Sequence, residues 1–199
     1  MKLFRTLACS LLLPVAAIAA IDVNIYVSVP DGLYFESDGA TRVDDSYTLD
    51  WGVLSISFAD FTNLTPQEQI AYLADIDTNF TSLGSFQFNS DGTLEQEPAY
   101  RGDVPVGTSP GDQLYTLVKN ALGTQLGLFT ATGTAFWTMP ASPGEANLFL
   151  EAGTPTALIG STSGVNGILA DQVPEPSTYA FLAGVMTLGL VAYRRRQKI

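Results

Sequence analysis

The sequence predicts a mainly β protein: an antiparallel β-sandwich or jelly-roll-like domain with one short helix, followed by a single carboxyl-terminal transmembrane helix. Apolar and polar residues alternate along 21–29, as in a strand with one buried face. Many short apolar segments follow, separated by turn pairs such as Asp38-Gly39 and Asp91-Gly92, and this spacing is typical of a β-sandwich. The transmembrane helix is predicted from the uncharged, mostly apolar segment 178–193.

The alternating pattern also locates the other strands. Residues 47–53 alternate with one parity and residues 54–58 with the opposite parity, so a β-bulge is expected beside Gly52. Composition and turn signals predict further short strands over 33–36, 85–88, 113–119, 125–130, 134–138 and 148–151.

One helix is predicted between these strands. Thr65 can cap a helix that has Pro66 at its first position and Glu68 at its third, where the glutamate completes a capping box. The helix is therefore expected to run from 66 to about 79. The residues expected to pack on a sheet are Ile70, Leu73, Ala74 and Phe80.

The charge is strongly negative and unevenly distributed. The 199 residues contain 20 acidic and nine basic side chains, and six of the bases lie in the terminal segments. Residues 21–173 therefore carry nineteen acids and three bases, a net charge of −16. Nucleic-acid binding requires clustered lysine and arginine, which this region lacks, so we exclude nucleic acid as a partner. The acidity is interpreted as solubility outside the cell, with divalent-cation binding as the alternative.

The inventory of reactive residues is small. Histidine is absent from the sequence, which excludes Ser-His-Asp catalysis, Cys-His catalysis and zinc sites with histidine ligands. Residues 75–79 imitate the start of a calcium-binding loop, but Phe80 occupies the position that requires glycine. Glycoside hydrolysis by two carboxylates stays open because nineteen acids are available. We predict no catalytic residue, no cofactor and no metal site, and we interpret Trp51 and Trp137 as core residues.

The amino end has the three parts of a secretory signal peptide over 1–19. Lys2 and Arg5 form a charged front, an apolar stretch follows over 7–18, and Ala17 and Ala19 form a small-x-small cleavage signature. Cleavage is expected after Ala19. The alternative, an uncleaved membrane anchor, is less favoured because the stretch is shorter than the roughly 20 residues that a bilayer span needs.

The apolar segment near the carboxyl end has the flanks of a membrane span. Its 16 residues would cover about 24 Å as a helix, slightly short of the roughly 30 Å hydrocarbon core of a bilayer, and flanking residues could cover the deficit. Tyr179 and Tyr193 lie where interfacial aromatic residues are common, and a basic cluster over 194–199 follows directly. The positive-inside rule places this cluster in the cytoplasm, so the preceding domain is expected to face outward.

A proline-rich motif from Val173 to Ser177, with Pro174 and Pro176 on either side of Glu175, precedes this span, and Arg194, Arg195 and Arg196 follow it. Together the motif, the span and the arginine cluster resemble the PEP-CTERM sorting signal of exported bacterial proteins. The resemblance implies that an exosortase, a transpeptidase-like processing enzyme of the membrane, recognises the tail and cuts near the motif. The prolines on both sides of Glu175 oppose helix formation, so Glu175 is expected to be the recognised residue. The motif comprises Val173, Pro174, Glu175, Pro176 and Ser177, and the basic stop comprises Arg194, Arg195 and Arg196.

These observations divide the chain into a signal peptide (1–19), a β-rich ectodomain (20–159), a linker (160–172) and a sorting signal (173–199). We expect an exported protein with a single-pass membrane anchor before processing, which then resides in the cell envelope or extracellular matrix as a non-catalytic structural or adhesive component. Its expected partners are the membrane, an exosortase-type enzyme and extracellular polysaccharide. The alternative is a secreted carbohydrate-binding module or a carboxylate-dependent glycan-active enzyme.

Overall fold

The structure is a computed structural model, and it describes residues 20–133 and 135–171. This part of the chain is mainly β, with three short helices. The strands are β1 (Ile21–Val27), β2 (Tyr34–Phe35), β3 (Tyr47–Leu54), β4 (Phe80–Gln87), β5 (Leu94–Gly102), β6 (Tyr115–Asn120), β7 (Gln125–Thr132), β8 (Gly144–Leu148), β9 (Thr154–Ile159), β10 (Ser161–Ser163), β11 (Asn166–Ile168) and β12 (Ala170–Asp171). The helices are α1 (Phe58–Asn63), α2 (Pro66–Ala74) and α3 (Ile76–Asn79), and two 3₁₀ turns cover Ala135–Trp137 and Leu150–Ala152.

The strands form three sheets. The large sheet has the order β12-β7-β6-β3-β4, with β9 paired to the same edge of β7 as β12. All its pairings are antiparallel, as the sequence predicts. The small sheet has the order β5-β1-β8, and here β1 and β8 are parallel. A third sheet joins β10, β11 and β2.

The main core lies between the inner faces of the small and large sheets. The alternation along β1 buries Ile21, Val23, Ile25 and Val27 in this core, as its period of two requires. The large sheet and its connections contribute side chains that are fully buried, among them Leu49, Trp51, Val118, Phe129 and Trp137. The prediction that both tryptophans belong to the core is confirmed.

A second core lies on the opposite face of the large sheet, beneath the helices. Tyr115, Leu117 and Leu128 point from the sheet into this core, where they meet Ile76 of α3 and Phe80. Helix α2 buries none of its side chains, and Ile70 is 69% exposed. The expectation that Ile70 packs on a sheet is therefore wrong, whereas Leu73 and Phe80 do pack against this core.

The predicted helix begins where expected but ends early. The Glu68 carboxylate accepts a hydrogen bond from the Thr65 backbone N–H at 2.8 Å, and the Thr65 hydroxyl accepts one from the Glu68 N–H, so the capping box is confirmed. At Asp75 the backbone leaves the helical region (φ −108°, ψ 47°), and the short helix α3 follows. Helix α1, capped by Ser57, was not predicted.

The bulge expected beside Gly52 is confirmed. Trp51 pairs with Gly84 and Gly52 pairs with Ser82, so Leu83 is the extra residue of the bulge. Strands β3 and β4 approach closely here, since a Cβ added to Gly52 would lie 2.0 Å from the Thr81 carbonyl oxygen. Glycine at this position is therefore a requirement of the strand pairing.

Three predicted segments differ from the structure. The strand expected over 148–151 contains only the last residue of β8, Leu148, and then gives way to the 3₁₀ turn Leu150–Ala152. The strand expected over 134–138 is replaced by a 3₁₀ turn, in which the Trp137 indole N–H donates to the Phe149 carbonyl at 3.0 Å. The linker expected over 160–172 instead contains β10, β11 and β12 up to Asp171, because Gly160 and Gly164 allow the turns (φ +91° and +60°) and Leu169 is buried in the main core. The folded domain thus extends past the predicted boundary at 159.

Candidate ligand-binding face

The small sheet presents its outward side chains on one polar face. Asp22, Asn24 and Tyr26 alternate with the core residues of β1 and point away from the core. Strand β5 pairs antiparallel on one side of β1, and β8 pairs parallel on the other, and paired residues share a face. The outer face of the small sheet therefore comprises Asp22, Asn24, Tyr26, Glu95, Glu97, Arg101, Glu145, Asn147 and Phe149.

Asn24 lies at the centre of this face and is only 8% exposed. Its side-chain amide donates one hydrogen bond to Glu145 Oε1 at 2.8 Å and another to Asn147 Oδ1 at 2.9 Å. Opposite Asn24 the register of β5 shifts, so the segment that carries Glu97 bulges away from β1. Asn24 thus fixes the side chains of β8 relative to β1.

One end of the face carries an ion pair. The Arg101 guanidinium donates from Nε to Asp22 Oδ1 at 2.7 Å and from a terminal nitrogen to Oδ2 at 2.9 Å. These hydrogen bonds hold the pKa of Asp22 below its usual range, and the same contact raises the pKa of Arg101. The positive charge of Arg101 is therefore already matched within the protein.

The other end of the face is aromatic. The Tyr26 and Phe149 rings meet edge to face with centroids 6.0 Å apart, and the ring of Phe136, from the 3₁₀ turn, lies 6.2 Å beyond Phe149. The Tyr26 hydroxyl donates to Glu97 Oε1. Burial raises the pKa of Tyr26, and the carboxylates of Glu97 and Glu145 raise it further, so the phenol stays protonated. Aromatic rings and carboxylates are thus adjacent on one surface.

Three cavities lie elsewhere on the domain. The first, of about 550 Å³, lies beside the end of β3, and Asp112 provides the one carboxyl among its lining residues. The second, of about 410 Å³ between α1, α2 and β9, is mostly apolar and has no carboxyl in its lining. The third, of about 480 Å³ beside α3, is lined by both Asp77 and Lys119. None of these three linings supplies the pair of carboxylates that glycoside hydrolysis needs.

The acidic helix end does not form a loop of the calcium-binding type. Asp75 caps α2, and Asp77 lies in α3. Within residues 20–133 and 135–171, no group of three or more acidic side chains is arranged to hold a metal ion. Elsewhere in the domain, the buried carboxylate of Asp50 in β3 forms a salt bridge with Lys119, whose Nζ lies 3.2 Å away.

The residues predicted for sorting lie outside the part of the chain that the structure describes. This holds for Ala17 and Ala19 of the cleavage signature, for the motif 173–177, and for the basic stop 194–196. Among the described residues no helix is long and apolar enough to cross a membrane. The span predicted over 178–193 likewise lies beyond them.

Sequence reasoning missed the outer face as a site. Its one visible signal was the polar half of the β1 alternation, Asp22, Asn24 and Tyr26, which predicted a half-exposed strand and nothing more. The partners of these residues come from β5 and β8, between 69 and 123 residues away along the chain. Comparisons with protein-family models, curated proteins and solved structures find no match for this chain.

Proposed function

We propose that this chain is an exported bacterial surface protein whose folded domain is a non-catalytic structural or adhesive passenger. In this proposal the segment 1–19 directs export, and the segment 178–193 anchors the chain in the membrane. An exosortase-type enzyme then recognises the motif 173–177 and releases the domain into the cell envelope or the extracellular matrix.

The position of the folded domain between the two processing signals carries the proposal. Strand β1 begins at Ile21, two residues after Ala19, and β12 ends at Asp171, two residues before Val173. The main core draws on residues from Ile21 to Leu169, and the second core lies within that range. Cleavage after residue 19 and near the motif would therefore leave every strand pairing of the described domain intact.

The physical chemistry of the carboxyl end supports anchoring before processing. An uncharged apolar segment partitions from water into lipid, whereas a cluster of arginines is costly to move through the hydrocarbon region. The translocating chain would consequently stop with Arg194–Arg196 in the cytoplasm. The motif at 173–177 would then lie just outside the bilayer, within reach of a membrane enzyme.

The proposed non-catalytic role is supported by the small number of potentially catalytic side chains in the domain. The sequence has no histidine, and each of the three cavities described above has at most one carboxyl in its lining. The small and large sheets share one core, which favours a β-sandwich of the kind common in extracellular domains.

The proposal is tested by the intact mass and location of the protein in a native bacterial host. The wild type is expected to lose the residues after about Ser177, whereas Glu175→Ala is expected to keep the full carboxyl end and stay in the membrane. Glu151→Ala, an exposed glutamate of the folded domain, is the matched control and should be processed like the wild type. Recovery of wild-type protein from the cell surface with residues 178–199 intact would overturn the proposal.

A further inference from the structure

The outer face of the small sheet combines an aromatic surface with an acidic one. Its aromatic end offers three rings in sequence, Tyr26, Phe149 and Phe136, and Phe136 is 45% exposed. Aromatic rings beside a polar surface provide an apolar area bordered by hydrated polar groups. Such a surface suits ligands that are apolar on one side and polar on the other. The flat C–H faces of sugar rings have this character.

Carboxylates on the same face offer hydrogen-bond acceptors, and two of them lie beside Tyr26. Glu95, Glu97 and Glu145 are exposed, and an ionised carboxylate has room for about four hydrogen bonds. Within the described chain, Glu97 accepts from the Tyr26 hydroxyl and Glu145 accepts from the Asn24 amide, so each keeps most of its acceptor capacity. Groups that donate hydrogen bonds are therefore the natural partners of these carboxylates.

Charge narrows the choice of ligand further. The face carries four carboxylates, and its guanidinium is already bonded through two nitrogens to one of them, Asp22. The described domain as a whole has nineteen acids and three bases. Polymers of uronic acids or sulfated sugars would be repelled, whereas a ligand that bears ammonium groups would be attracted.

We propose that this face binds a polysaccharide whose sugars carry free amino groups. The sugar rings lie on the aromatic end, and their ammonium groups donate to the carboxylates of Glu95, Glu97 and Glu145. A neutral polysaccharide would use the rings but leave the negative charge unmatched, and a basic peptide would match the charge but lack a flat apolar face. The inference rests on the geometry of the face and does not depend on the sorting proposal.

Calorimetric titration of the full chain in detergent with three oligosaccharides tests the proposal. The probes are a glucosamine hexamer, its fully N-acetylated counterpart and an oligouronate of equal length. Binding of the glucosamine hexamer is expected to weaken as salt is added. The acetylated hexamer should bind at least about tenfold more weakly, because acetylation removes the charge and the ammonium donors. Equal binding of the two hexamers, or no binding of the first, would overturn the proposal.

Variants locate the binding on the face. Glu97→Gln and Glu145→Gln keep an acceptor oxygen and remove a charge, and each should weaken glucosamine binding about fivefold. Phe136→Ala should weaken both hexamers. Asp77→Asn removes one exposed charge on the opposite side of the domain and should change affinity less than about twofold. An equal loss in Asp77→Asn would show that net charge, rather than this face, attracts the ligand, and thermal unfolding of each variant confirms that it is folded.

Discussion

Gly52→Ala tests whether the close approach of β3 and β4 limits the stability of the domain. The new Cβ would lie 2.0 Å from the Thr81 carbonyl oxygen and 2.9 Å from Cζ of Phe80. Nonbonded carbon contacts need about 3.5 Å, so the two strands must separate locally by about 1.5 Å. Because the nearest atom belongs to the backbone, no change of rotamer relieves the contact.

The cost follows from what the separation disrupts. Overpacking costs about 1 to 3 kcal/mol, and the ladder hydrogen bonds beside Gly52 contribute about 1 kcal/mol each, so we expect a loss of about 3 kcal/mol. For a domain of this size the melting temperature should fall by about 6 to 12 °C. Trp51 is fully buried next to the site, so its fluorescence reports the unfolding of the full chain in detergent.

A matched control separates steric strain from a general effect of mutating these strands. Ser85→Ala changes an exposed residue of β4 and should shift stability by less than about 0.5 kcal/mol. A melting temperature for Gly52→Ala within about 2 °C of the wild type would refute the reasoning, since a contact of 2.0 Å cannot be accommodated at so small a cost.

Two further predictions concern the helix cap and the ion pair. Thr65→Ala removes the capping box and about 1 kcal/mol of local stability, so amide exchange in α2 should accelerate about fivefold. Global unfolding should barely change because α2 buries no side chain, and a fall in melting temperature as large as that of Gly52→Ala would contradict this view. Arg101 lowers the pKa of Asp22, so their pairing contributes stability above the unfolded pKa of about 4, and that contribution is lost as pH falls through the lower folded pKa. Urea unfolding should therefore show a steeper acid loss in the wild type than in Asp22→Asn, and parallel profiles would exclude the pairing as its cause.

The features that the sequence predicts correctly depend on contacts between near neighbours. The alternation of β1 follows from strand geometry and needs no knowledge of the partner strands. The capping box of Thr65 and Glu68 closes within four residues. The register shift beside Gly52 is where the apolar phase of the sequence changes, although the extra residue lies in β4 and the phase changes because Val53 and Leu54 face opposite cores. Each of these sequence patterns is local, and each marks a feature that the folded structure contains.

The features that the sequence did not predict depend on distant pairing. Strand β5 contains Glu95, Glu97 and Pro98, which are poor strand formers, and it forms because β1 pairs with it. The 3₁₀ turn at Ala135–Trp137 replaces a predicted strand because the Trp137 indole is drawn into the main core. In both cases tertiary contacts override local preference.

The candidate face also depends on pairing between strands that are distant along the chain, which explains why the sequence did not predict it. Asp22, Arg101 and Glu145 form one row across the small sheet although the chain separates them by up to 123 positions. Neither carboxylate spacing nor aromatic content along the chain distinguishes these residues from the other acids and rings.

The proposed binding face and the proposed processing signals lie in separate parts of the chain, so processing and binding can be compatible. The face lies within the strands β1, β5 and β8, whereas the proposed processing motif follows β12. Cleavage near the motif would remove no residue of the face, so binding would persist after release from the membrane. It would also remove Arg194–Arg196, which make up one third of the nine basic residues in the sequence. Because those arginines would lie on the cytoplasmic side of the membrane, more than a Debye length from the face, their removal would leave the attraction of the face to a cationic polysaccharide unchanged.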